Sequence, residues 1–310
     1  MGLLDMFKKK DSSETVEHIV PPMQTEKAEA ELTEEQIEAV RRQIEKRTVQ
    51  TAYRLSVNME RKPGLTDTKF GGVPYWPSDK TYPADESGGP LMLLAQLNMR
   101  DFAGDERLPD KGLLQFYIAA DDLYGLDFDV PDGEKNFRVV YHAGIDEAVT
   151  SEGVLALGIR VSSDMKDGEE IYFPVEGEYA VDVKKSEVSM GISDYRYEDL
   201  MHQAAKELGI KPAENQAPWK LMPEEVYNQE AARNEGHWVM GYPYFTQNDP
   251  RGYQELKAYD IMLFQMDSDF TKDSGADIMW GDMGVANFFM KHEDLKRKDF
   301  SKVLYNWDCG

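Results

Sequence analysis

Apolar positions along the chain change their period, and the changes lay out its elements. Ile37, Val40 and Ile44 recur at helical spacing behind Thr33 and Gln36, a Thr-x-x-Gln pair that reads as a capping box, so a helix is predicted over Glu34 to about Lys46. From Tyr53 the period drops to two. Tyr53, Leu55, Val57 and Met59 alternate with polar residues, as in a strand with one wet face. Apolar runs predict further strands at 91–98, 113–119, 137–142, 155–161, 179–183, 261–266, 285–290 and 302–305. A second helix is expected over 194–208, with Ser193 as N-cap and Gly209 as its stop. A third is expected from Pro223 to about Arg233. Many short strands with a few helices make an α+β chain, rich in β.

The chain repeats itself. FGGVPYWP (70–77) aligns with VMGYPYFT (239–246), and the offset of 169 residues carries LMLLAQL (91–97) onto DIMLFQM (260–266) without a gap. Asp101-Phe102 then answers Asp269-Phe270, Asp110-x-Gly112 answers Asp282-x-Gly284, and LLQFYI answers VANFFM. Asp122-Leu123 finally answers Asp294-Leu295. Six matches in one order predict an internal duplication, with units at about 70–123 and 239–295. They are expected to pack as one large domain over residues 31–310. A groove at the pseudo-two-fold axis between them is a natural binding place. The aromatic and amide positions Tyr75, Gln96, Tyr244, Gln265 and Trp280 are the binding candidates.

Residues 1–30 are rich in Lys, Glu, Ser and Pro, have few large apolar side chains, and read as a disordered tail. Over all 310 residues, Asp plus Glu outnumber Lys plus Arg by 58 to 35, a net charge of −23. That field repels nucleic acid and favours a basic protein partner. Apart from Lys8, Lys9 and Lys10 there is no basic stripe, and no apolar run approaches the roughly 20 residues that span a bilayer. Cytoplasmic location is the expectation. The single cysteine, Cys309, excludes an intrachain disulfide, and no pair of histidines has zinc spacing.

Chemistry has few candidates. His237, with Asp249 or Asp282, could do acid–base work in a hydrolase-like enzyme. Both aspartates also read as turn formers. The acidic run Asp121, Asp122, Asp127, Asp129 and Asp132 misses EF-hand spacing and reads as a solvated loop, so neither a metal nor a cofactor is expected. There is no nucleophile elbow, phosphate loop or dinucleotide fingerprint. Binding without catalysis is the first expectation, and the His237 enzyme is the alternative.

FGGVPYWP (70–77), PLMLLAQLNMRDF (90–102), GLLQFYI (112–118), DDLYGLDFD (121–129), HWVMGYPYFTQND (237–249), LFQMDSD (263–269), IMWGDMGVANFFM (278–290) and DFSKVLYNWDC (299–309) together resemble the YwqG-like bacterial proteins, a family built on a domain of unknown function. The resemblance covers roughly residues 50 to 309 and leaves about the first 48 as an extension. It implies an intracellular α+β protein with a duplicated β-rich unit and supplies no catalytic residues. Gene neighbourhoods that sometimes include toxin and immunity genes hint at protein binding.

Overall fold

The computed structural model describes residues 32–162, 171–210, 222–253, 255–270, 272 and 274–310. The expected N-terminal tail, residues 1–30, lies outside them.

Helix α1 (Glu34–Thr48) starts where its cap predicts: Gln36 N donates to Thr33 Oγ1, and Thr33 N donates to Gln36 Oε1. The two bonds satisfy amide donors that no helical carbonyl can reach. Its apolar face, Ile37, Val40 and Ile44, packs on Met201, Ala204 and Ala205 of α3 (Tyr197–Glu207).

Among the described residues, ten strands form one antiparallel sheet. At its centre β1 (Gln50–Asn58) pairs with β6 (Glu178–Val188), Gln50 opposite Val188 and Asn58 opposite Ala180. Beyond β6 follow β2 (Lys69–Gly71), β3 (Met92–Asn98), β4 (Leu113–Ile118) and β5 (Phe137–His142). Beyond β1 follow β7 (His237–Val239), β8 (Ile261–Asp267), β9 (Val285–Met290) and β10 (Val303–Asp308). The strand order is therefore the same on either side of the central pair. Each side is also bulged at one place, between Leu93 and Ala95 in β3 and between Met262 and Phe264 in β8. A bulge bends its strand and increases the twist. The sheet curls until it is nearly closed: the Phe137 and Tyr305 rings of its two end strands lie 5.3 Å apart, and Tyr305 N donates to Pro131 O.

One face of each strand fills the interior. Phe116 from one side lies 4.6 Å from Phe264 and 5.0 Å from Phe288 of the other, so a single core joins both sides. The opposite face carries separate apolar clusters, each covered by loops or helices: Trp76 with Tyr117, Leu91 and Leu93, and Phe245 with Phe289, Tyr259 and Leu304. Strands buried on both faces explain why LLQFYI and VANFFM run without polar alternation.

Three sequence expectations need correction. The stretch 155–161 is not a strand. Thr150 Oγ1 accepts from Gly153 N and starts the short helix α2 (Ser151–Leu155), after which Gly158 takes φ 74° and turns the chain. Ser193 does not cap α3. Its hydroxyl donates to Ala231 O, and the helix begins only at Tyr197 because Asp194 is bound to Arg196. Pro223 sits outside α4 (Glu224–Ala231), in the extended N-cap position. In the second Asp-x-Gly turn the positive φ falls on Met283, at 56°, while Gly112 carries it in the first, at 90°. Gly284 is still required, since a Cβ there would strike Asp308 O, as one at Gly112 would strike His142 O. Two three-residue strands, β2 and β7, and the short helix α5 (His292–Lys296) escaped the periodicity.

Candidate functional site

The amides that the repeated motifs share are built into the scaffold. Gln96 and Gln265 are wholly buried. Tyr75 N donates to Gln96 Oε1 (3.0 Å), and Gln96 Nε2 donates to Leu65 O and Asp67 O (2.9 Å each). In the same way Tyr244 N donates to Gln265 Oε1 (2.7 Å), and Gln265 Nε2 donates to Asn234 O (2.8 Å) and Gly236 O (2.7 Å). Each glutamine thus pins its Pro-Tyr loop to the loop that leads into the short strand beside it. One strand further out, Gln115 Nε2 donates to Tyr75 O and Asn287 Nδ2 to Tyr244 O. Gln96 has both amide hydrogens and its oxygen engaged, Oε1 also accepting from Gln115 Nε2, so no capacity remains for a ligand.

Tyr75 is buried too, its hydroxyl accepting from Asp146 N, and Trp280 has no exposed surface. Of the five binding candidates, Tyr244 alone is half-exposed. Its hydroxyl is pushed up to about 12, by burial first and then by the charges of Glu235, Asp267 and Asp308.

The catalytic candidates are not brought together as expected. His237 is buried in β7, where its Nδ1 accepts from Asp267 N (3.1 Å) and its Nε2 lies 3.6 Å from Asp269. Nδ1 is therefore unprotonated and the ring proton of the neutral form sits on Nε2. Asp282 is exposed on the turn before β9. Asp249 instead faces Arg251. The Asp249 carboxylate accepts from Arg251 N and Nε (2.9 Å each) and Nη2 (2.6 Å).

That clasp recurs in two other Asp-x-Arg triplets. Asp194 takes the same three bonds from Arg196, and Asp105 from Arg107. The remaining guanidinium nitrogen, Nη1, donates to Asp260 O from Arg196, to Tyr259 O from Arg251 and to Gln50 Oε1 from Arg107, whose Nη2 also donates to Thr51 O. The triplet was visible in the sequence but has no repeat offset, so the alignment of the two units passes over it. Arg251 is wholly buried, bridges Asp249 and Asp194 (Nη2 to Asp194, 3.1 Å), and lies 4.1 Å over the Phe289 ring. Burial alone would raise Asp194, but Arg196 and Arg251 hold its carboxyl below the ordinary range.

Above this ion cluster opens a cleft of about 480 Å3. The 192–198 segment, the end of α4 and the 244–249 loop wall it. Tyr195, Tyr227, Tyr244 and Phe245 supply apolar faces, and Asp194, Glu198 and Asp249 supply carboxylates; among the described residues no lysine, arginine or histidine lines it. A hollow of about 580 Å3 beside α4 is larger but is lined by that helix and its C-terminal end alone. The cleft combines three elements, and the clasps fix two of its walls relative to each other through Arg251 and Asp194. Such a concave, partly apolar lining with a few placed polar groups is what small groups are bound by.

The acidic run is a folded turn. Asp121 accepts from Leu123 N and Gly125 N, and Asp127 from Asp129 N, Val130 N and Lys135 Nζ. Among the described residues no group of three or more acidic, histidine or cysteine side chains could hold a metal ion, and no helix is long and apolar enough to cross a membrane. A comparison with curated proteins gives no match. The family model for a domain of unknown function, DUF1963, matches residues 68–309, every strand but β1, and the chain belongs to that family.

Proposed function

We propose that the protein is a cytoplasmic, bacterial member of the YwqG-like group that binds a basic polypeptide without transforming it, its two β-rich halves arising by duplication. The cleft between Tyr195, Glu198, Tyr244 and Asp249 receives a lysine or arginine side chain of the partner. The observation that carries this reading is the lining itself: tyrosyl faces and the carboxylate of Glu198, beside Asp194 and Asp249, whose charges Arg196 and Arg251 already pair. An aromatic face and a carboxylate both attract a guanidinium, and a desolvated cation–π contact contributes about 1–2 kcal/mol. The net charge of −23 speeds the encounter and makes it salt-dependent.

The test is titration with an arginine-rich peptide, followed by calorimetry, on the wild type, Tyr244→Ala, Glu198→Gln and, as a control, Glu293→Gln on α5. Binding should weaken about 5–30-fold in the first two variants and change little in the control. Equal weakening in all three variants would mean general charge attraction and no cleft.

A further inference from the structure

The loop 121–136, between β4 and β5, acts as a strap across the gap where the sheet nearly closes. Trp307 Nε1 donates to Leu123 O (2.7 Å), Tyr305 Oη to Tyr124 O (2.9 Å) and Tyr305 N to Pro131 O (3.1 Å). Tyr259 Oη adds a bond to Asp132 Oδ2 (2.6 Å). Each of these joins the strap to the far side of the sheet.

Glu134 stands where the strap turns into β5. Its backbone is left-handed, φ 46°, a conformation that residues with a Cβ seldom adopt. Its side chain is nevertheless held inward and buried, and Oε1 has no hydrogen-bond partner. Oε2 accepts one bond from Arg138 Nη1, at 3.3 Å. The other charged or polar groups that face the carboxyl are Asp299, from the turn before β10, and the Val303 backbone amide of β10 itself; the Tyr259 hydroxyl lies further off, beside Asp132. A carboxylate here is short of donors, whereas a carboxylic acid needs fewer.

We propose that Glu134 is a proton-controlled latch on this gap: protonated, it keeps the strap docked on β10, and on ionising it turns out to water and releases the strap. Burial, opposed by Arg138, pushes its carboxyl up to about 7 from an ordinary 4.5. A raised carboxyl pKa favours the closed, proton-bound form below the open-state value. That preference is lost as pH rises from about 4.5 to about 7. In this window the opening equilibrium increases about tenfold per pH unit and then levels off.

The measurement is the hydrogen-exchange protection of the Tyr305 amide, corrected for intrinsic exchange, from pH 5 to pH 8. Wild type should lose protection about tenfold per unit up to neutral pH. Glu134→Gln should keep it nearly constant, because the amide cannot ionise. Arg138→Gln, which leaves the carboxyl in place, should extend the loss to higher pH by removing the cation that favours ionisation. PH-independent protection in the wild type, or the same slope in wild type and Glu134→Gln, would overturn the latch.

Discussion

Gly71 and Met240 share one backbone conformation, φ 64° in each, at the same step before a Gly-x-Pro-Tyr loop. The next residues, Gly72 and Gly241, are left-handed as well, at 73° and 96°. Two consecutive left-handed residues reverse the chain as it leaves β2 and β7. At Gly71 the turn also demands the missing side chain, since a Cβ would overlap Gly177 O and Ser162 Oγ. Gly71→Ala should therefore cost about 2–4 kcal/mol, strain and clash together. Gly104→Ala makes the comparison: φ is 89° there but nothing lies within 4 Å, so the cost should be about 1–2 kcal/mol. Urea midpoints of the two variants decide; equal losses would mean that Gly71 is needed for its φ alone.

Gln265→Leu removes the acceptor of Tyr244 N and the donor to Asn234 O and Gly236 O. Stranding buried backbone groups costs about 1–3 kcal/mol, and the melting temperature should fall accordingly. Gln96→Leu, which strands a similar set, should fall by a similar amount. A Gln265→Leu protein as stable as wild type would show that this amide does not hold the Tyr244 loop.

Arg251 holds two buried carboxylates, so Arg251→Met should destabilise by about 3–5 kcal/mol, the cost of an uncompensated buried charge. The pH dependence follows from Asp194. Its pKa is depressed in the folded state, so its contribution is present above the unfolded value of about 3.8 and is lost as pH falls below it. Acid unfolding of the wild type should steepen below about pH 4, and Asp194→Asn should remove that part of the slope.

His142 titrates in the opposite sense. It is buried, with Nε2 2.8 Å from Gln115 Oε1, and burial, aided by the charge of Lys80, lowers its pKa to about 4. The unfolded chain binds this proton near 6.5 and the folded one does not. The His142 contribution to stability should therefore fall by about 3 kcal/mol as pH drops from 6.5 to 4. Replacing His142 by Gln removes this contribution, leaving that of Glu134, which has the opposite slope. A titration of the His142 ring by NMR with a midpoint above 6 would contradict its burial as a neutral donor.

Much of the sheet could be read from the chain because β3, β4, β8 and β9 are long apolar runs with both faces buried. The helix start at Thr33 was legible for another reason: its cap is local, with both partners within three residues. β2 and β7 were missed because three residues such as Lys69–Gly71 show no period, and Lys69 hides its ammonium in bonds to Val73 O, four residues on, and to Glu178 of a distant segment. The cleft was half legible. Tyr244 stood out in the repeated motif and Asp249 as a catalytic candidate, but Glu198 and Tyr227 reach the cleft from α3 and α4, and the start of α3 is tied to the 249–251 loop by the Arg251–Asp194 contact, 57 residues apart in sequence. The amides Gln96 and Gln265 looked like ligand contacts because sequence shows a polar side chain and cannot show that backbone groups already occupy it.

The near-closure of the sheet bears on how this protein avoids its own kind. A strand at the end of a sheet exposes a row of unpaired amides and carbonyls that invites a strand from another molecule. Here the two end strands lean toward each other, and Pro131, which can donate nothing, offers its carbonyl to the Tyr305 amide on one of them. The strap thus masks β10 without continuing the ladder. Whenever it lifts, β10 loses that cover beside a strongly apolar interior. The mutual repulsion of molecules that each carry a net charge of −23 then opposes self-association through strand exchange.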